Sequence, residues 1–136
     1  PLRHTWTGVS HLVHVRIVSG ACARYPKCTN SRCEWGHRHT PELTSCLAGI
    51  TRDTVFALAA EAGLVIHERR ITRDEVYIAD EAFFTGTAAE VLPINSLDGR
   101  TIGTGRRGAI TERLQSAYFD QVRGQRNSFP EWHTQV

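Results

Sequence analysis

The stretch FFTGTAAEVLP, residues 83–93, decides how this chain is read. Two adjacent phenylalanines carry the backbone into a core. Thr85, Gly86, Thr87, Ala88 and Ala89 then present almost no side chain before strand-like sequence resumes at Glu90. A backbone stripped this far can be a tight turn or bulge, with Gly86 relieving strain. It can also leave its N–H groups, and the Thr85 and Thr87 hydroxyls, open to an anionic ligand.

The segments on either side read as an α/β domain. In RDTVFALAAEA, residues 52–62, apolar residues recur at Val55, Ala59 and Ala62. Thr51 is the expected N-cap, and Gly63 stands where a helix C′ glycine belongs. LVIHERRI alternates as a strand does, and Thr72 with Glu75 forms a capping box that opens a short helix reaching Ala79. FFTG and EVLPINSL read as strands, and Asp98-Gly99 as a hairpin turn. ITERLQSAYFDQV places Ile110, Leu114, Ala117, Tyr118 and Val122 on one face of a last helix. The polar residues after Gly124 read as a loosely held tail. Gly49 and Ile50 lead directly into the first helix, whose leading N–H groups have no intrahelical partner and can hold a phosphate.

With 136 residues, 40% of them apolar, the chain can bury one ordinary core. No apolar run reaches the roughly 18 residues of a membrane span, and no secretory leader is recognisable, so the expectation is a soluble cytoplasmic protein. Charge is unevenly divided. Residues 1–39 carry five Arg and Lys27 against Glu34 alone, a net charge of +5, whereas residues 40–136 carry ten Arg against thirteen acids, a net charge of −3. Five of seven histidines and three of four cysteines also precede Thr40. The expected boundary therefore falls there: an atypical basic, Cys/His-rich segment over 1–39, disordered or foreign to the rest of the chain, and a regular α/β part over 40–136.

TPELTSCLAGITRDTV and VYIADEAFFTGTAAEVLPINSLDGRTIGTGRRGAITERLQSAYFDQVRG, spanning about residues 40–124, closely resemble the C-terminal part of the branched-chain amino acid aminotransferases. These are fold-type IV enzymes of the class IV pyridoxal-phosphate aminotransferases. The resemblance implies the C-terminal α/β domain of that fold, incomplete here. It also implies pyridoxal 5′-phosphate as cofactor, amino acids and 2-oxo acids as substrates, and a homodimer in the full-length family. The implied reaction moves the amino group of leucine, isoleucine or valine to 2-oxoglutarate. By resemblance, Ile50, Thr51 and Thr87 clamp the cofactor phosphate, and Thr87 and Ala88 bind the substrate carboxylate. D-amino acid aminotransferase and aminodeoxychorismate lyase share this fold and are the related alternatives.

The chain departs from the family upstream. Its only lysine, Lys27, lies too close to Thr51 to match the family's cofactor lysine, and ARYPKC stands where an acidic partner for the pyridine nitrogen is expected. No catalytic residue is therefore assigned, and the fragment is not expected to transaminate alone. A reading-frame shift upstream of TPELTSC would produce residues 1–39 as they stand. A competing reading is a zinc finger that binds RNA: Cys22, Cys28, Cys33 and His37 have CCCH-like spacing, with Tyr25 and Trp35 available to stack on bases. A binding partner of that kind, and any metal, are not expected under the leading assignment. His67 and Cys46 read as structural, and Arg106 and Arg107 as a solvated loop.

Overall fold

Both phenylalanines of the opening stretch are accommodated because strand β4 (Glu81–Gly86) is covered on both faces. The computed structural model describes residues 15–20, 37–44, 48–126 and 128–132. Over these the chain forms β1 (Val15–Gly20), β2 (His37–Thr40), α1 (Ile50–Glu61), β3 (Ile66–Glu68), α2 (Arg73–Tyr77), β4, β5 (Glu90–Pro93), β6 (Ser96–Leu97), β7 (Arg100–Thr101) and α3 (Ala109–Val122). A 3₁₀ turn comes last, at Pro130–Trp132.

The main sheet has the order β3-β2-β1-β4-β5. Only β2 and β3 pair in parallel, joined by the α1 crossover, and the other neighbours are antiparallel. It follows that β2, β3 and β4 all point the same way. One face, carrying Phe83 and its neighbour Val91, packs with Val55, Leu58 and Ala59 of α1 and Leu114 and Tyr118 of α3. The opposite face carries Ala82 into a second cluster with Val76, Ala79, Ile94, Leu97 and Ile102, and Phe84 lies against it. Burial on alternate faces at consecutive positions is what the Phe-Phe pair requires.

Local signals account for the boundaries. After α1, Gly63 takes φ +72° while its N–H reaches the Ala60 carbonyl at 3.0 Å and that of Leu64 reaches Ala59 at 2.8 Å. This is a Schellman closure, and it recurs after α3 at Gly124 and Gln125. The Thr72–Glu75 capping box forms reciprocally. Asp98 and Gly99, at φ 52° and 75°, make the two-residue turn between β6 and β7.

Five expectations need correction. The N-cap of α1 is Gly49 rather than Thr51: Gly49 is extended and its carbonyl accepts from Asp53 N–H at 3.1 Å, which draws Ile50 and Thr51 into the first turn. Val122 is 55% exposed and Gln121 is buried in its place. The cause lies in the tail, which is held rather than loose: Gln121 donates to the Phe129 carbonyl, Arg126 pairs with Glu61 at 2.6 Å, and Phe129 stacks on Trp132. Predicted strand 64–71 shortens to β3, and predicted helix to Ala79 ends at Tyr77.

β1 and β2 bring residues from before Thr40 into the sheet, β1 pairing with β4 from Val15↔Thr85 to Ser19↔Glu81. Lys27, Cys22, Cys28, Cys33 and Cys46 lie outside the described residues.

Candidate functional site

Because β2, β3 and β4 run in one direction, their carboxyl ends lie along one edge of the sheet. In open α/β sheets this edge is where ligands bind. Helix α1 returns antiparallel to β2, so its N-terminus stands over the same edge. Its first-turn residue Arg52 shows this directly, reaching the Pro41 carbonyl just beyond β2 at 3.4 Å and Glu68 at the end of β3 at 3.1 Å. The turn after β4 emerges on this edge too.

The four residues singled out by sequence thus fall in two segments on one edge. Ile50 and Thr51 occupy the first two helical positions of α1, with Ile50 exposed and Thr51 buried. Gly49 supplies no side-chain cap, so the leading N–H groups of α1 are not occupied by one. Thr87 and Ala88 are both exposed in the turn between β4 and β5. Gly86 pairs with Glu90 across this turn, and Glu90 takes a left-handed φ of 53°.

The role of Gly86 differs from the turn-relief expectation. It has no positive φ, and a Cβ placed on it would meet only the Ala89 Cβ at 4.0 Å. Glu90, not Gly86, bears the unusual backbone conformation. Gly49 is likewise extended, and a Cβ there would meet nothing within 4 Å. The fold therefore demands glycine at neither position. Both border the candidate site, and at both the missing side chain leaves space open to solvent. Thr85, 2% exposed, has a hydroxyl without a hydrogen-bond partner two residues before Thr87.

Arg52 borders the candidate site, although by sequence it reads as one more helix position. It is 5% exposed, lies 4.5 Å over the Phe56 ring, and its Nε has no partner. The available signal was an Arg in a first turn with an aromatic residue four positions on. Other candidates are structural: Arg107 binds Gln115 at 2.6 Å as well as Glu112, and exposed His67 packs its ring 5.9 Å from that of His39. Glu81 accepts from the Ile110 and Thr111 N–H groups at 3.1 and 2.9 Å, closing the α3 N-terminus with a carboxylate. Among the described residues two helices start at a glycine without a side-chain cap, and of these only α1 is left open. Among the described residues no group of three or more His, Cys, Asp or Glu could hold a metal ion.

Known proteins resemble this chain in sequence and fold. The family model described as amino-transferase class IV matches residues 36–97. The branched-chain-amino-acid aminotransferase of Pseudomonas aeruginosa is 65% identical over 98 residues, covering 72% of this chain and 32% of that protein. Its counterpart in Escherichia coli K12 is 44% identical over 98 residues, covering 71% and 32%. The crystal structure of branched-chain amino acid aminotransferase from Thermobaculum terrenum, in its PLP-form, superposes with a TM-score of 0.74 at 35% identity, covering 90% of this chain and 36% of that one. The chain spans about a third of the length of these relatives.

Proposed function

Because residues 36–97 match the class IV aminotransferase family model, we propose that this chain is the cofactor-anchoring part of a branched-chain amino acid aminotransferase. The observation that carries the reading is the pair of glycines, Gly49 and Gly86, that the fold does not require, beside an uncapped helix start and a bare turn on one sheet edge. An incoming phosphate and a carboxylate are what approach this backbone.

In this reading the Ile50 and Thr51 N–H groups, with the α1 dipole behind them, hold the phosphate of pyridoxal 5′-phosphate. The Thr87 hydroxyl closes the clamp from the β4–β5 turn. The Thr87 and Ala88 N–H groups receive the α-carboxylate of leucine, isoleucine or valine and so fix the orientation of its Cα. When bound, the cofactor supplies an electron sink for chemistry at that carbon. The donor set suits two anions: it consists of backbone N–H groups and hydroxyls, with Arg52 the nearby cation.

The residues for the covalent and proton-transfer work are a different matter. Lys27 is the only lysine in the sequence, and none of the described residues is a lysine. We therefore assign binding and orientation to residues 40–136 and no transamination to this chain alone. In this reading the complete enzyme is a homodimer and works in the cytoplasm. Among the described residues no helix is long and apolar enough to cross a membrane.

The test adds a methyl group to each open glycine. Gly49→Ala and Gly86→Ala should preserve the thermal midpoint or raise it, since each removes about 0.4–1 kcal/mol of unfolded-state freedom. Both should weaken pyridoxal 5′-phosphate binding several-fold in an absorbance titration. Unchanged affinity in both variants would refute the reading.

A further inference from the structure

We propose that Arg52 is a positioning residue, its guanidinium fixing the α1 N-terminus over the sheet edge so that the Ile50 and Thr51 N–H groups converge on one anion. This rests on the phosphate-clamp reading above and adds the device that holds the clamp in shape.

Helix α1 starts at a glycine, with no side-chain cap to define where its first turn sits. Among the described residues, the side chain of that turn seen to reach the sheet edge is Arg52. Its Nη2 lies 3.1 Å from Glu68 Oε2 and 3.4 Å from the Pro41 carbonyl. One guanidinium nitrogen, Nη2, therefore ties the helix to the ends of both parallel strands, β2 and β3. The stem is confined as well: the residue is 5% exposed, and Phe56, one helical turn on, lies beneath the guanidinium at 4.5 Å. Burying an arginine is costly, and here the contacts to Glu68, the Pro41 carbonyl and Phe56 offset that cost. Its Nη1 is 3.9 Å from Asp53 Oδ1, a long and exposed contact that adds little to the constraint.

Position and charge make different predictions. Lysine at 52 keeps the charge but loses the planar group that lies over Phe56 while Nη2 reaches Glu68 and the Pro41 carbonyl. The full chain, labelled with ¹⁵N, is titrated with inorganic phosphate while the Ile50 and Thr51 amide shifts are followed, and the thermal midpoint is recorded for each variant. Arg52→Lys and Glu68→Ala should both weaken phosphate binding, by about tenfold for the first and about threefold for the second. Glu68 is half-exposed, so Glu68→Ala should lower the midpoint by only a few degrees and leave the chain folded. It also decides the question should Arg52→Lys fold poorly. Wild-type phosphate affinity in either variant would overturn the positioning role while leaving the clamp intact. A wild-type chain whose Ile50 and Thr51 amides ignore phosphate would overturn the clamp itself, and the role of Arg52 with it.

Discussion

Replacing Arg38 by leucine should make the protein more stable. Arg38 lies on β2, level with Ser19 and Glu81, on the sheet face that meets α1 and α3. It is 4% exposed, and its Nε and Nη2 have no hydrogen-bond partner. Burial pushes its pKa below the ordinary arginine value. Glu81 on the same face acts in the opposite sense, and Arg113 adds to the effect of burial. Each buried donor left unpaired costs about 1–3 kcal/mol, and part of this is offset by the attraction to Glu81. Leucine removes both orphaned groups and adds apolar contact beside Ile66, its register partner on β3. The net gain is about 2–3 kcal/mol, which for a chain of this size raises the thermal midpoint by about 6–9 °C. Urea unfolding followed by circular dichroism gives the free energy directly, and an unchanged slope would show that compactness is unaltered. A midpoint equal to or below that of the wild type would refute the view that Arg38 is a buried, unsatisfied cation.

Other outcomes follow from the same structure. A Cβ at Gly103, where φ is +52°, would stand 1.7 Å from the Asp80 carbonyl oxygen, so Gly103→Ala should cost about 3 kcal/mol or more. Gly63→Ala, with positive φ but open space, should cost only about 1 kcal/mol in the same urea assay. Glu81→Ala removes the carboxylate that receives three donors from Ile110 and Thr111 and should lower stability by about 2 kcal/mol. Glu75 is held to a pKa of about 2, first by Arg69 and then by the Thr72 N–H. Because its folded pKa is depressed, its contribution is complete above the ordinary carboxylate range and fades as pH falls toward 2. Glu75→Gln should therefore flatten the stability profile between about pH 4.5 and 2 while lowering the plateau near neutrality.

Where local chemistry sets the structure, the sequence was legible. The Gly63 closure, the Thr72–Glu75 box and the Asp98-Gly99 turn each form as their residue types dictate. Long-range contacts were not. Val122 and Gln121 exchange roles because Phe129 and Arg126 fold back onto Gln121 and Glu61, a pairing across 65 residues that helical periodicity does not encode. β2 reads HRHT, with no apolar residue to announce a strand, and forms through its neighbours β1 and β3. At the candidate site the two backbone segments were recognisable from their glycines and small residues. Their meeting on one edge depends on the parallel β2–β3 pair, which only the topology reveals. Arg52 was missed because its partners, Pro41 and Glu68, lie at the ends of different strands.

In the proposed function the α1 N-terminus and the β4–β5 turn bind one phosphorylated cofactor together. Titrating ¹⁵N-labelled protein with pyridoxamine 5′-phosphate tests this most directly. The amides of Ile50, Thr51 and Thr87 should shift along one binding curve with a single Kd. Shifts confined to one segment, or absent from both while other residues respond, would contradict it.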